Sequence, residues 1–314
     1  MKNASNTSDT PGIEEPGPMN VITPEGELLE NAQVQQLEQI GKGTYGKIYK
    51  GLLNGQGVAI KETGESDENE IEIMCMLAKA HAPHVVHLIA YSLEDSCNRL
   101  YIQYMENNSL AKYIEDRQEP VNWSLRYRWI REITRGLAFL HQLNIVHLDI
   151  KSDNVLLDES LHAKIGDFGH AETMKGNKLI SIKGTPLWVA PEVILGKPYD
   201  EKADIFSLAV TLWEIASWKL PEEPENFKSG TEDCHTTDEY NRKLWEYFSE
   251  LKLKIPNHRQ KIKEVCKPKL AKLITWGWQG EPENRPSAEE LVKELETGID
   301  TLSDNLSHRP PVNH

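Results

Sequence analysis

Cysteine is scarce: Cys75, Cys97, Cys234 and Cys266 are the whole complement, and no two stand in a C-x-x-C spacing. That argues against a disulfide framework or a structural zinc site and points to reduced thiols in a cytosolic setting. Long hydrophobic runs are missing too. No stretch approaches the roughly 20 apolar residues of a membrane span, and the polar opening MKNASNTSDT lacks the apolar core of a signal peptide. Basic residues are outnumbered, 35 Lys and Arg against 49 Asp and Glu, for a formal charge of −14. Such a balance argues against nucleic acid or an anionic membrane as partner, while leaving room for a local basic pocket. What is present, 39% hydrophobic and 27% charged residues over 314 positions, suits a soluble globular chain of one bilobal domain or two ordinary ones. A cytoplasmic protein, monomeric or weakly dimeric, is expected.

Residues 1–33 mix Ser, Thr, Asn, Pro, Gly and acids with almost no apolar periodicity, and read as a disordered leader. From Val34 the pattern changes. Val34, Leu37 and Ile40 lead into Gly41, Gly43 and Gly46 of a G-x-G-x-x-G run, then Lys47-Ile48-Tyr49, an Asn54-Gly55 turn and Val58-Ala59-Ile60-Lys61. This predicts strand, glycine-rich turn, strand, hairpin and strand. The glycines allow a backbone to bend over phosphates and offer N–H groups to them. A dinucleotide site would need a helix opening directly from the glycines; a second strand follows instead.

Ile71, Ile73, Met74, Leu77 and Ala78 fall at helical spacing after an acidic patch, with Asp67 as the candidate N-cap. Val85–Tyr91 and Leu100–Tyr104 predict two further strands, completing five. Beyond Ser109 the periodicity is helical, with Trp129, Ile130, Ile133, Leu137 and Leu140 on one face of a long helix and an apolar helix over Leu208–Ile215 expected to be buried. Trp218 to Tyr240 reads as an exposed excursion, Leu270 to Leu295 as closing helices, and 303–314 as a flexible tail.

The chemistry concentrates in His147-Leu148-Asp149-Ile150-Lys151-Ser152-Asp153-Asn154 and Asp167-Phe168-Gly169. Two carboxylates and an amide on neighbouring loops suit hard oxygen ligation of Mg²⁺, with one carboxylate left to accept a proton. The lysine suits a phosphate that is changing hands, and the set asks for phosphoryl transfer.

H-x-D-x-K-x-x-N followed by D-F-G resembles the catalytic and metal-binding loops of eukaryotic-type protein kinases, and the other parts of that family occur in order. Its fold is α+β and bilobal, with a small lobe of a five-stranded antiparallel sheet and one helix, here 34–105, and a larger mainly helical lobe, 106–302. The resemblance implies a protein serine/threonine kinase using ATP and Mg²⁺ on a protein substrate. It implies Asp149 as proton acceptor, Lys151 on the transferring phosphoryl group, and Asn154 and Asp167 on the metal. Lys61 would hold the α- and β-phosphates, paired with Glu70, or with Glu72 as the fallback. Gly41, Gly43 and Gly46 would cover the phosphates, Ile48, Ala59 and Leu156 would meet the adenine, and Tyr104 to Asn108 would form the hinge. Thr185 would hydrogen-bond toward Asp149 and Lys151, or serve as a phosphorylation site. Arg285 is the expected partner of Glu192 in Ala190-Pro191-Glu192, and the aspartate of Asp204-Ile205-Phe206 would cap the catalytic-loop backbone. Trp276, Trp278 and Leu212-Trp213-Glu214-Ile215 look most like the tyrosine-kinase-like group.

One departure matters. The family's usual arginine before the catalytic aspartate, which meets a phosphate on the activation segment, is Leu148 here. The segment is therefore expected to pack into place without phosphorylation. His170 after the D-F-G glycine is unusual and suggests no role by itself. A pseudokinase scaffold and a small-molecule phosphotransferase are the competing classes. The first is disfavoured because no expected polar residue is missing, the second by Ala190-Pro191-Glu192 and Arg285.

Overall fold

The computed structural model describes residues 19–43, 46–63, 68–93, 97–176, 178–221, 243 and 266–297. They divide into two units. One comprises the chain through Lys79 with His87–Tyr104; the other comprises Ala80–Val86 and the chain from Met105 onward. Ala80–Val86, expected in the first lobe, belongs to the second because its backbone is tied there. Val86 N donates to Ile165 O at 2.8 Å and Ile165 N to His84 O at 2.9 Å.

In the first unit the chain forms β1 (Met19–Ile22), β2 (Leu28–Ala32), β3 (Val34–Gly43), β4 (Gly46–Leu53), β5 (Gln56–Thr63), α1 (Glu68–Lys79), β6 (Leu88–Ser92) and β7 (Asn98–Gln103). The strands make one seven-stranded antiparallel sheet in the order β2-β1-β6-β7-β5-β4-β3. The five strands read from sequence are β3 to β7. The other two correct the expectation of a disordered leader over 1–33, since residues 19–32 fold as a hairpin. A turn closes it, with Gly26 N donating to Thr23 O and Thr23 N to Glu27 O, both at 2.9 Å. Val21 and Ala32 bury into a cluster with Val34, Leu53, Val58, Ile60, Ala90 and Tyr101. The hairpin buries few side chains of its own, so its polar sequence carries little alternation. It is a strand pair because β6 offers it an edge, with Ile22 opposite Tyr91. Residues 1–18 and 298–314, hence the expected tail, lie outside the described residues, as does the Asp67 cap.

The glycine-rich turn joins β3 to β4, with Gly43 opposite Gly46. Gly46 has φ +146°, and a Cβ there would run into the Glu62 carbonyl oxygen, so only glycine fits so close to β5.

The second unit is built on α2 (Leu110–Glu115), α3 (Trp123–Gln142), α4 (Pro191–Ile194), α5 (Lys202–Ser217), α6 (Pro268–Gly277) and α7 (Ala288–Glu296), with short strands β8 (Ile145–Val146), β9 (Val155–Leu157), β10 (Ala163–Ile165) and β11 (Glu172–Thr173). Asn122 caps α3 by accepting from Leu125 N, and Trp129, Ile130, Ile133, Leu137 and Leu140 are fully buried along it. Helix α5 is buried on every side from Ala203 to Ala216, as its continuous apolar sequence requires. Its carboxyl end is closed by Arg126, buried between the Trp123 and Trp218 rings and donating to Ala216 O at 3.0 Å and Val121 O at 2.9 Å. Ser287 and Glu290 form a capping box at the start of α7. Most of the excursion expected over 218–240 lies outside the described residues. Among those described, no helix is long and apolar enough to cross a membrane.

The hairpin's place in the sheet is testable. Val21→Asp puts a charge into an apolar cluster and should cost several kcal/mol, read as a drop in Tm. Leu28→Asp, at a side chain 51% exposed, should leave Tm nearly unchanged. Equal effects would remove β1 from the folded sheet.

Candidate active site

In the first unit, strand register sets Gly41 opposite Ile48, Ile48 opposite Lys61, and Lys50 opposite Ala59, so these residues share a face of the sheet. Lys61 Nζ reaches both carboxylate oxygens of Glu70, at 2.7 and 2.9 Å, and both residues are buried. Glu70 stands in the first turn of α1 and Glu72 is exposed, which decides between the two glutamates. A buried pair this close fixes where the ammonium sits, and removing either partner would orphan a charge. Tyr104 lies beneath Lys50, whose Nζ is 4.9 Å from the ring centroid.

In the second unit, the loop from His147 to Asn154 is held from below. Asp204, fully buried near the start of α5, accepts from His147 N and Leu148 N, each at 2.8 Å, and meets His141 Nε2 at 3.0 Å. Leu148 has φ +65°, a conformation an ordinary side chain adopts only when its surroundings impose it. His147 is buried edge-on against Phe168, with Nε2 3.0 Å from Gly166 O and Nδ1 facing Asp149 N at 3.3 Å. Burial lowers its pKa. Neutral imidazole with the proton on Nε2 satisfies both contacts.

Asp149 follows, 6% exposed, and donors converge on it. Thr185 Oγ1 donates to Oδ1 at 2.6 Å; Asn154 Nδ2 donates to Oδ2 at 2.8 Å, and Lys151 Nζ is 3.2 Å from Oδ2. Lys151 also donates to Thr185 Oγ1 at 2.7 Å, closing a triangle. Burial alone would raise this carboxyl, but the His170 ring, Lys151 and the Thr185 hydroxyl outweigh it and hold it well below the usual carboxylate range. Asp149 is thus ionised at any physiological pH. His170 is the residue whose role the sequence did not suggest. Its Nδ1 lies 3.6 Å from Oδ2, and the ring is the foremost influence holding that carboxyl down.

Two further carboxylates brace the segment after Gly169. Glu192 takes Arg285 in a two-pronged pair at 2.7 and 2.8 Å, with the guanidinium also donating to Gln279 O, Gly280 O and Lys202 O. Glu214, fully buried in α5, accepts from Ser152 Oγ at 2.6 Å and from Trp188 Nε1 at 2.9 Å, tying the catalytic loop to the segment. The sequence marked Glu214 only as part of Leu212-Trp213-Glu214-Ile215 in an apolar helix, with no role of its own.

This constellation is reached in the order of one known family, whose model, described as protein kinase domain, matches residues 34–295. The chain belongs to the protein kinase family. It is 32% identical over 269 residues to the dual specificity protein kinase pyk3 of Dictyostelium discoideum, covering 84% of this chain and 18% of that protein. It is 29% identical to the probable serine/threonine-protein kinase drkD of the same organism, over 82% of this chain and 19% of the relative. It is 30% identical to the serine/threonine-protein kinase STY46 of Arabidopsis thaliana, over 82% of this chain and 43% of the relative. The chain therefore spans less than half the length of each.

A protein kinase domain implies ATP as substrate and a divalent metal ion, and the donors in the kinase's second unit fit such an ion. Asn154 Nδ2 is spent on Asp149 O and Oδ2, both at 2.8 Å, which fixes the amide and directs its carbonyl oxygen away from that contact. Asp167, at φ +59°, is an exposed residue while its neighbour Phe168 is fully buried. Both offer hard oxygen. Among the described residues no group of three or more His, Cys, Asp or Glu is placed to hold a metal ion.

Glu214 gives the kinase a pH signature. Burial pushes its carboxyl from 4.5 up to about 8, against the opposing hydrogen bonds from Ser152 and Trp188. The folded kinase then holds a proton that the unfolded chain has released. Stability is full below the unfolded value and is lost as pH rises toward the folded one, by an amount on the order of a few kcal/mol. Glu214→Gln keeps the acceptor without the charge, so its Tm should fall less than the wild type's between about pH 5 and pH 8.5. Parallel Tm curves would show that Glu214 does not carry the dependence.

Proposed function

We propose that this kinase transfers the γ-phosphate of ATP, bound with Mg²⁺, to the hydroxyl of a serine or threonine in a protein substrate, in the cytoplasm. The triangle of Asp149, Lys151 and Thr185 carries the reading. It places an ionised carboxylate beside a hydroxyl that already mimics the incoming alcohol, 2.6 Å from Oδ1. The low affinity of Asp149 for protons makes it an orienting acceptor, which takes the alcohol's proton as the bond to phosphorus forms. Lys151 is assigned to the charge on the transferring group. Lys61, steered by Glu70, is assigned to the α- and β-phosphates, and the backbone of Gly41, Gly43 and Gly46 to covering them. Ile48, Ala59 and Leu156 are assigned to the adenine. Asn154 and Asp167 would hold the metal, which when bound neutralises phosphate charge.

A serine or threonine acceptor is favoured by Lys151 and by the Gly184–Trp188 stretch, where Thr185 and Trp188 are both fastened to the catalytic loop's own supports. The relatives' names, serine/threonine-protein kinase in most and dual specificity in one, point the same way. Leu148 is 5% exposed and offers a phosphate nothing, which supports activity without activation-segment phosphorylation. A pseudokinase has no observation in its favour.

Lys61→Met should abolish transfer. Asp149→Asn should slow the chemical step by roughly 10²–10⁴-fold with nucleotide affinity little changed; turnover at the wild-type rate would remove Asp149 from its role. Asp167→Ala should weaken nucleotide binding only when Mg²⁺ is present, read by titration with and without the metal. Labelled phosphate from ATP should appear on serine and threonine of a generic basic protein. Label confined to tyrosine would overturn the substrate class.

A further inference from the structure

The activation segment closes on itself through a group of side chains that the reaction does not use. Glu172, in β11, accepts from Ser181 Oγ at 3.0 Å and pairs with Lys183 Nζ at 2.7 Å. The buried Tyr199 hydroxyl donates to Ser181 O at 2.8 Å and lies 2.9 Å from Ser181 Oγ. Ser181 Oγ gives its own proton to Glu172. Behind this clasp, Leu179 and Tyr199 exchange backbone bonds at 2.8 and 2.9 Å, and Lys178 stands 3.4 Å from Asp200. Beyond Lys183 come Gly184 and Thr185. Gly184 has φ +102°, and a Cβ on it would come within 2.5 Å of Leu148 O, so the chain is threaded tightly against the catalytic loop. Lys183, held in the clasp, is two residues from Thr185, whose Oγ1 donates to Asp149 at 2.6 Å.

We propose that Ser181 is a phosphorylation site of negative sign: its free hydroxyl completes the clasp, and a phosphate there opens it and lowers activity. This rests on the kinase reading above. In the modification, Ser181 Oγ forms a bond to the γ-phosphorus of ATP as the bond from that phosphorus to the ADP oxygen breaks, and the hydroxyl proton is released. The product has lost the donor that Glu172 requires. It also sets a charge of roughly −1.5 to −2 against a carboxylate within hydrogen-bond reach. Lys183 would stand between two anions while already neutralised by one, Tyr199 is uncharged, and Lys178 is engaged with Asp200. The position whose arginine would receive such a phosphate in the family is Leu148 here. Ile180 and Ile182, 66% and 58% exposed, flank Ser181 and place the segment on the surface where a modifying enzyme, or a second copy of this chain, can reach it once the clasp parts.

The test compares wild type, Ser181→Ala, Ser181→Glu and the double variant Ser181→Glu with Glu172→Gln, assayed for γ-phosphate transfer to a basic protein, each with a Tm. Ser181→Ala should stay within about threefold of wild type, because Tyr199 still holds Ser181 O. Ser181→Glu should fall about tenfold or more at unchanged Tm, and Glu172→Gln should return most of that loss by removing the like charge. Ser181→Glu as active as wild type, or a loss that Glu172→Gln leaves untouched, overturns the inference. An inactive wild type would instead overturn the kinase reading, so the two failures are distinct.

Discussion

Asp204 has no exposure to water, and its two oxygens are consumed by the amides of His147 and Leu148 and by the His141 ring. A carboxylate so placed is tolerable only while those donors stay where they are. The donors in turn can stay there only if Leu148 accepts a left-handed backbone. The cost of one is offset by the other, and the turn that presents Asp149 follows from that exchange. Helix α5, buried along its length, carries this anchor at its start and Glu214 near its end, and so reaches the catalytic loop twice.

Around Asp149 the balance is one of charge. Burial would favour the neutral acid, but an ammonium, a hydroxyl, a carboxamide and an imidazole ring keep it ionised. Such a group is a weak base and a strong hydrogen-bond acceptor. That suits phosphoryl transfer, where orienting the alcohol matters more than removing its proton early. Leu148 stands where the family's usual arginine would be. The bonds among Glu172, Ser181, Lys183 and Tyr199 supply a phosphate-free way of holding the same stretch of chain.

Much of the site was legible in the sequence because phosphoryl transfer needs few residue types at fixed short spacings. His147 to Asn154, Asp167 to Gly169 and the three glycines are each short runs along the chain, so their residue types can be read together without knowing the fold. Lys61 with Glu70 and Glu192 with Arg285 join distant positions, and only the family's likeness paired them. Their geometry, two oxygens to one cation in each, belongs to the fold. The β1–β2 hairpin escaped notice because it buries little beyond Val21, Pro24 and Ala32, too few positions to show an alternating pattern.

The sequence by itself determined the family, the glycine-rich hairpin, the buried α5 and the residue types of the catalytic loop, because periodicity and short motifs are properties of neighbours along the chain. Tertiary structure alone decided that His170 faces Asp149, that Glu214 is a buried acid, and that Glu172 and Ser181 meet. Each depends on which side chains share a volume that water cannot enter. No local pattern encodes that, since desolvation and hydrogen-bond satisfaction are settled only when elements far apart in the chain come together.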